Sequence, residues 1–422
     1  MYRPSFWGLG VLLTWWSWEG AAYSTGRPLP LPAGISEAYV DCVNSTGLMV
    51  HTLSAGCDDA EKPLVLLLHG FPEVAYTWIH VMPTLASQGY CVVAPDLRGS
   101  GRTTGWDTRA YSQVALSEFS NTNMVRDLVA LVYGLGYDQA LSVVGHDYGA
   151  ILGGWASLVR PDMFTSSIQL TNPFDPAPLP TMWKRKPTAS SNSSESVAAA
   201  PVNVTTLTPS IVHLEADLEH LQPPRKYYQL SNSGPSAAND WNSGGALGPR
   251  EFLRSYFYVK SADWPGNRPH PLANSTAEQV AEIPHYYVML LNESMSQTMV
   301  SMTAGYNVSA SLSWLPDDEL DVYLAEYQRV GFQGQLNWYR VLTAPTPDVL
   351  IMSGRKIEVP VMFIGGDKDW GTYQHPGALE KYNETCTDFR GTFMIPGAGH
   401  WMQLEQPQAL TERITRFLKE LR

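Results

Sequence analysis

Three short stretches hold residue types able to attack carbon and move a proton. The first is SVVGHDYGAI, residues 142–151. An apolar, strand-like run climbs into Gly-His-Asp-Tyr-Gly, and a helix-like run of small residues follows. Gly145 and Gly149 let the backbone bend tightly and let the helix pack close. A sharp strand-to-helix turn of this kind presents a nucleophile, and the helix N-terminus directs N–H groups toward it. The presented residue is Asp147, where such turns otherwise carry serine. The plainer reading makes Asp147 a helix N-cap, a position that Asp favours. The second stretch is GGDKDW at 365–370, with Asp369, and the third is GAGHW at 397–401, with His400. Nucleophile, acid and histidine in that chain order, each after an apolar run, are expected to form a triad.

A carboxylate nucleophile suits a saturated carbon. Serine attacking such a carbon leaves an ether, which water does not cleave under these conditions. Asp147 leaves an ester whose carbonyl belongs to the protein, and water can attack that carbonyl, so one hard step becomes two easier ones. His400, oriented by Asp369, would take the proton from that water. A further loaded turn, His69-Gly70-Phe71-Pro72, follows the apolar run PLVLLLHG at 63–70. A cis Phe71–Pro72 bond there would aim a backbone N–H at the same place.

The elements that must position these groups alternate along the chain. Continuous apolar runs at 63–70, 90–95, 140–145, 166–171, 359–366 and 392–396 read as parallel strands buried on both faces. Helical patterns lie at 123–133, 149–159 and 407–421. The expectation is an α/β fold, a mostly parallel sheet flanked by helices. From Phe174 the alternation stops. A stretch rich in Pro, Ser, Thr, Asn and Ala follows, then helix-like pieces at 210–221, 248–260, 276–303 and 317–330. The layout is therefore a signal peptide over 1–22, a first core segment over 23–175, a helical lid with a long polar loop over 176–344, and a second core segment over 345–422. Such a lid excludes water and supplies binding groups.

Composition narrows the setting. With 44% hydrophobic residues the chain of 422 can bury a large core, and a net charge of −12 argues against nucleic acid or an anionic membrane surface as partner. A basic start, an apolar stretch of ~13 residues and small residues to Ala22 read as a cleaved secretory signal, and no other segment is long and apolar enough to span a membrane. Glycosylation sequons begin at Asn44, Asn192, Asn203, Asn274, Asn292, Asn307 and Asn383, which points to a secreted (extracellular), N-glycosylated product. Of the four cysteines, Cys42 and Cys57 flank an expected β-hairpin and are the favoured pair, while Cys91, in an apolar strand, reads as a buried thiol. His213, Asp217 and His220 share a helix face but read as a solvated stripe, and no zinc spacing is present.

Six segments together carry a family resemblance: HGFPE at 69–73, DLRGSGRT at 96–103, GHDYGA at 145–150, LNWYR at 336–340, GDKD at 366–369 and GHW at 399–401. They cover nearly the whole chain after the signal, and the chain resembles the soluble-type epoxide hydrolases of the α/β-hydrolase fold. The resemblance implies conversion of epoxides to vicinal diols through an aspartyl ester, with an Asp147–Asp369–His400 triad and no metal or organic cofactor. It implies two lid tyrosines that polarise the epoxide oxygen, Tyr339 in LNWYR and Tyr228 in YYQL, with Tyr256 or Tyr258 as the fallback for the second. It further implies an oxyanion hole from the backbone N–H groups of Phe71 and Tyr148, and a substrate wall that includes Phe71, Tyr148 and Trp338. Two departures stand out: the family often has tryptophan where this chain has Tyr148, and the 176–226 stretch is unusually long and polar. The alternatives are a dehalogenase with an Asp nucleophile and a secreted small-molecule binder that keeps the fold without catalysis. A halide needs N–H donors or similar groups to hold it. The haloalkane enzymes resemble HGNP with tryptophan after the nucleophile, and the fluoroacetate type has arginine there; neither pattern occurs in this chain.

Overall fold

A computed structural model describes residues 27–174, 210–343 and 351–422. The expected signal peptide, the polar loop with Asn192 and Asn203, both expected lid boundaries and the side chain of His213 lie outside the described residues.

Eight strands form one sheet: β1 (Ile35–Cys42), β2 (Leu48–Ala55), β3 (Leu64–Leu68), β4 (Cys91–Pro95), β5 (Ser142–His146), β6 (Ser167–Leu170), β9 (Ile357–Gly366) and β10 (Cys386–Ile395), in the order β1-β2-β4-β3-β5-β6-β9-β10. The β1–β2 and β2–β4 pairs are antiparallel and every other pair is parallel. All five residues of β3, LVLLL, are buried, as are those of β4 and β5. That is what a parallel strand covered on both faces requires, and it is why these runs show no alternation. Among the covering helices are α1 (Asn121–Gly134) and α2 (Tyr148–Val159).

The segment between β6 and β9 folds over the carboxyl ends of the strands. It holds a two-stranded ribbon, β7 (Arg225–Tyr227) against β8 (Val288–Leu290), and the helices α3 (Gly248–Lys260), α4 (Asp317–Val330) and α5 (Gln333–Leu342). Helix α6 (Pro407–Glu420) closes the chain. One expected helical piece, 276–303, is broken into a short helix at Ala277–Val280, then β8, then a helix at Met295–Thr303. Pro284 stands between the first two and has no N–H to continue a helix. Ser294 restarts one with a capping box that uses Gln297.

Helix α5 is fastened to the core at close range. Trp338 Nε1 donates to the Arg98 carbonyl at 2.9 Å and Gln335 Nε2 to the Glu73 carbonyl at 2.7 Å. Gly334 and Gly99 meet backbone to backbone, and a Cβ on Gly334 would lie 2.1 Å from the Gly99 oxygen. Glycine is required there by the approach itself.

The cysteine pairing differs from expectation. Cys57 is bonded to Cys91, while Cys42 and Cys386 are free and buried. In the hairpin Cys42 pairs with Leu48 beside the turn, and Ala55 pairs with Ile35 at the far end. Cys57 lies beyond that far end, so about seven residues of strand, roughly 24 Å, part it from Cys42, well outside disulfide reach. Strand β4 runs beside β2 with Val92 opposite Ala55, and this brings Cys91 to Cys57.

Candidate active site

Asp147 sits at the turn between β5 and α2 with φ 53° and ψ −115°, a backbone conformation that L-residues rarely adopt. Its side chain makes no cap hydrogen bond, so the N-cap reading fails. The carboxylate instead faces inward: Oδ1 accepts the Phe71 N–H at 3.0 Å and Oδ2 accepts Asn172 Nδ2 at 3.2 Å. The turn is possible because its glycines carry no side chain. A Cβ on Gly145 would lie 2.0 Å from the Gly149 oxygen. The Phe71–Pro72 bond is cis. Tyr148 opens α2, so its N–H lies in the first turn, where helix donors have no intrahelical partner.

His400 and Asp369 come from the loops after β10 and β9, neighbours in the sheet. His400 Nδ1 lies 3.1 Å from Asp369 Oδ1, and its Nε2 lies 3.7 Å from Asp147 Oδ2. Asp369 Oδ1 also accepts the Gly371 N–H at 2.7 Å. All three residues of the expected triad are buried. Burial pushes the Asp369 carboxyl up to about 6, against the pull of the Gly371 N–H and the Lys260 ammonium. Burial first, then the charge of Lys260, hold His400 well below the ordinary histidine range. At neutral pH the imidazole is therefore uncharged, the state a general base needs.

The lid supplies the facing wall. The rings of Tyr228 and Tyr339 lie 5.7 Å apart, and the Phe71 ring meets Tyr339 edge-on at 5.2 Å. Burial raises both phenols well above their usual range, so each keeps its proton as a donor. Tyr256 is also buried, and its hydroxyl accepts from Lys260 Nζ at 3.3 Å. Trp338 stacks on Tyr148 at 4.5 Å, and the Tyr148 hydroxyl donates to Asn121 Oδ1. The indole and the phenol in that pair thus each spend their polar group on the core, and the pair locks α5 to α2.

Lys260, Glu73 and Glu405, all near His400, were missed in the sequence, which gave His146 only a loop-holding role. Lys260 Nζ approaches His400 Nε2 at 3.4 Å, and the Lys260 carbonyl accepts the His400 N–H at 2.9 Å. A lysine four residues after Tyr256 and eight after Phe252, on the apolar face of α3, was the available signal. Glu73 and His146 form a buried pair at 2.6 Å, and His146 Nε2 donates to the His400 carbonyl. Burial alone would raise the Glu73 carboxyl, but His146, the Thr77 hydroxyl and the Gly70 N–H together hold it at about 2. Glu405 accepts three N–H groups, from Ala262, Gly399 and Trp401, and so ties the His400 loop to the end of α3. Among the described residues, no group of three His, Cys, Asp or Glu side chains is placed to hold a metal ion.

A family model described as the alpha/beta hydrolase fold matches residues 63–211. Epoxide hydrolase B of Mycobacterium tuberculosis is 29% identical over 385 residues, which cover 90% of this chain and 98% of that one. Epoxide hydrolase 3 of Siraitia grosvenorii is 27% identical over 90% of this chain and 97% of its own. Among solved structures, an epoxide hydrolase from an endophytic Streptomyces superposes with a TM-score of 0.68 at 25% identity, covering 92% of this chain and 97% of that one. Epoxide hydrolase A from Mycobacterium thermoresistibile gives 0.65 at 26% identity, with 91% and 98% covered. The chain is an enzyme with the alpha/beta hydrolase fold, similar over nine-tenths of its length to epoxide hydrolases.

Proposed function

We propose that this chain hydrolyses epoxides to vicinal diols in two steps, with Asp147 as nucleophile. The observation that carries the reading is the placement of Asp147: a carboxylate on a strained turn, held by the Phe71 N–H, 3.7 Å from an uncharged histidine and facing two protonated lid tyrosines. Asp147 Oδ2 attacks the less hindered or better polarised epoxide carbon. The carbon–oxygen bond of the ring breaks, and its oxygen takes a proton from Tyr228 or Tyr339. Proton delivery of this kind contributes about 10²–10⁴ in rate. His400 then removes a proton from water as the water attacks the ester carbonyl. The oxyanion forms at Oδ1, where the Phe71 N–H already points and the Tyr148 N–H is available. One water proton passes through His400 to the departing diol oxygen, and the other restores the phenol. The chain has a candidate group for each role, and the relatives named above are epoxide hydrolases; both weigh against a dehalogenase or an inert binder.

The secretory setting belongs to the same reading. The described sequon residues Asn44, Asn274, Asn292, Asn307 and Asn383 are all exposed, and Cys57 and Cys91 form a disulfide, a bond that persists in oxidising compartments. No helix among the described residues is long and apolar enough to cross a membrane. The test of the activity is diol formation from a panel of aryl and aliphatic epoxides by the purified glycoprotein. Turnover that disappears in Asp147→Asn supports the reading; no diol from any epoxide in the panel would refute it.

A further inference from the structure

Asn172 and Gln374 follow neighbouring parallel strands, Asn172 two residues past β6 and Gln374 at the end of the 3₁₀ turn that Asp369 caps beyond β9. Both are buried. Between them they join the two sides of the site. Asn172 Nδ2 donates to Asp147 Oδ2 at 3.2 Å, and Asn172 Oδ1 accepts from Gln374 Nε2 at 2.5 Å. Gln374 Oε1 in turn accepts the hydroxyls of Tyr227 at 3.2 Å and Tyr228 at 3.3 Å. The direction of this chain is set by its end. An ionised carboxylate only accepts, so Asn172 must present its NH₂ to Asp147 and its oxygen to Gln374. Gln374 must then donate to Asn172 and turn its oxygen to the phenols, which must donate. The amide orientations follow from chemistry and do not depend on telling oxygen from nitrogen.

The backbone is bent to make this arrangement. Thr171, just before Asn172, has φ 70°, a conformation costly for a β-branched residue. Its Oγ1 accepts the Asp147 N–H at 3.2 Å, and its own N–H reaches the Ile364 carbonyl of β9. The strained residue thus couples the nucleophile turn to the strand that carries the Gln374 loop.

We propose that Asn172 and Gln374 are positioning residues: an amide relay that sets Asp147 Oδ2 and the Tyr228 hydroxyl relative to each other and holds the Tyr228 proton until an epoxide oxygen takes it. This rests on Asp147 as nucleophile and Tyr228 as acid. Hydroxyl-to-oxygen contacts of 3.2 and 3.3 Å are long for their kind, so the grip on the proton is loose. When Tyr228 turns to substrate, Tyr227 still satisfies Gln374 Oε1, and no buried acceptor is left bare.

A double-mutant cycle between Gln374→Met and Tyr228→Phe tests the relay, read as single-turnover rate constants for ester formation and ester hydrolysis. Gln374→Met should slow ester formation roughly fivefold to tenfold, the value of one hydrogen bond, and change hydrolysis less than about twofold. In the Tyr228→Phe background the same change should cost less than about twofold, because the group it acts through is gone. Equal slowing in both backgrounds, or none in either, overturns the relay. If Tyr228→Phe alone leaves ester formation intact, the acid assignment has failed; if it slows ester formation and Gln374→Met does not, only the relay has failed. Gln374→Glu provides a variant of nearly the same shape. Its carboxylate should grip the Tyr228 proton and slow ester formation, with recovery at acid pH, where a protonated carboxyl can again donate to Asn172. A pH profile for ester formation identical to the parent enzyme's overturns the proposal.

Discussion

Lys260 Nζ lies 3.4 Å from His400 Nε2, with both side chains fully enclosed. Three aromatic rings, of Tyr256, Tyr287 and Trp401, surround the ammonium within 5.5 Å, and its attraction to Asp147, Asp369 and Glu73 only partly offsets its burial. Burial brings the ammonium down to about 8, so it is charged at neutral pH and opposes a proton on His400.

That opposition should be visible in the pH dependence of ester hydrolysis. In the proposed mechanism His400 must be uncharged to act as base, and burial and Lys260 hold it well below 6.5. Ester hydrolysis should therefore not fall at 6.5 through His400 itself; its first loss on acidification should come near 6, where Asp369 takes a proton. Lys260→Met removes a repelling charge, so the acid limb should move to higher pH. Single-turnover hydrolysis rates across pH 4–8 would show the movement; a limb that stays put would separate Lys260 from the base. Stability carries the same sign. The unfolded chain binds a proton at His400 that the folded chain refuses, so that residue's contribution weakens the fold as pH drops below 6.5.

The proposed mechanism gives both lid phenols the same step, ester formation. Tyr339→Phe and Tyr228→Phe should each slow ester formation by about 10²-fold and hydrolysis much less, since general acid help is worth about 10²–10⁴. Rapid-mixing measurements with excess enzyme separate the two steps. Loss confined to hydrolysis would move the phenols out of the acid role.

The Cys57–Cys91 bond closes a loop with a sequence separation of 34. Closure of a loop that size stabilises by about 3–4 kcal/mol in the chain-entropy account. Cys57→Ser with Cys91→Ser should lower the melting temperature by several degrees and leave the ester-forming rate within about twofold, because the bond lies at the start of β4, the end of the strand opposite the site. Unchanged melting would mean that the unfolded chain is not constrained by it.

A buried ionic group also joins the lid to the core. Arg102 pairs with Glu326 of α4 at 3.0 Å and with Glu37 of β1 at 2.7 Å, and His51 lies between Glu37 and Asp96. Arg102→Met leaves carboxylates underpaired and should cost about 3 kcal/mol. Burial would lower His51, but Asp96 and Glu37 raise it to about 9 from 6.5. Its contribution is therefore full below pH 6.5 and is lost as pH rises through 9, a decline that His51→Asn should abolish in denaturant titrations.

The parts legible in the sequence were those written as continuous patterns. The buried strands, the strand-to-helix turn at Asp147 and the loops that hold Asp369 and His400 each sit in a local string that dictates local geometry, as Gly145 and Gly149 do around Asp147. Tyr228 and Tyr339 came from family likeness, since nothing in YYQL or LNWYR states what those rings face. The misses were relations across the sheet. Cys57 and Cys91 meet because of β2–β4 register, which local spacing does not encode. Pro284 marked a break in the 276–303 pattern, but its long apolar periodicity hid the β8 strand. Asn172 and Gln374 meet because β6 and β9 are neighbours, and Lys260 reaches His400 from the end of α3; singly they are ordinary polar residues.

The proposed ester on Asp147 leaves a mark that one turnover in ¹⁸O-water reads out. With enzyme in excess, the first diol should carry only unlabelled oxygen, one atom from the epoxide and one from Asp147, while the label enters the Asp147 carboxylate and is found by mass spectrometry of its peptide. Label appearing in that first diol, with an unlabelled carboxylate, would mean that water attacks the epoxide directly, and the covalent account would be wrong.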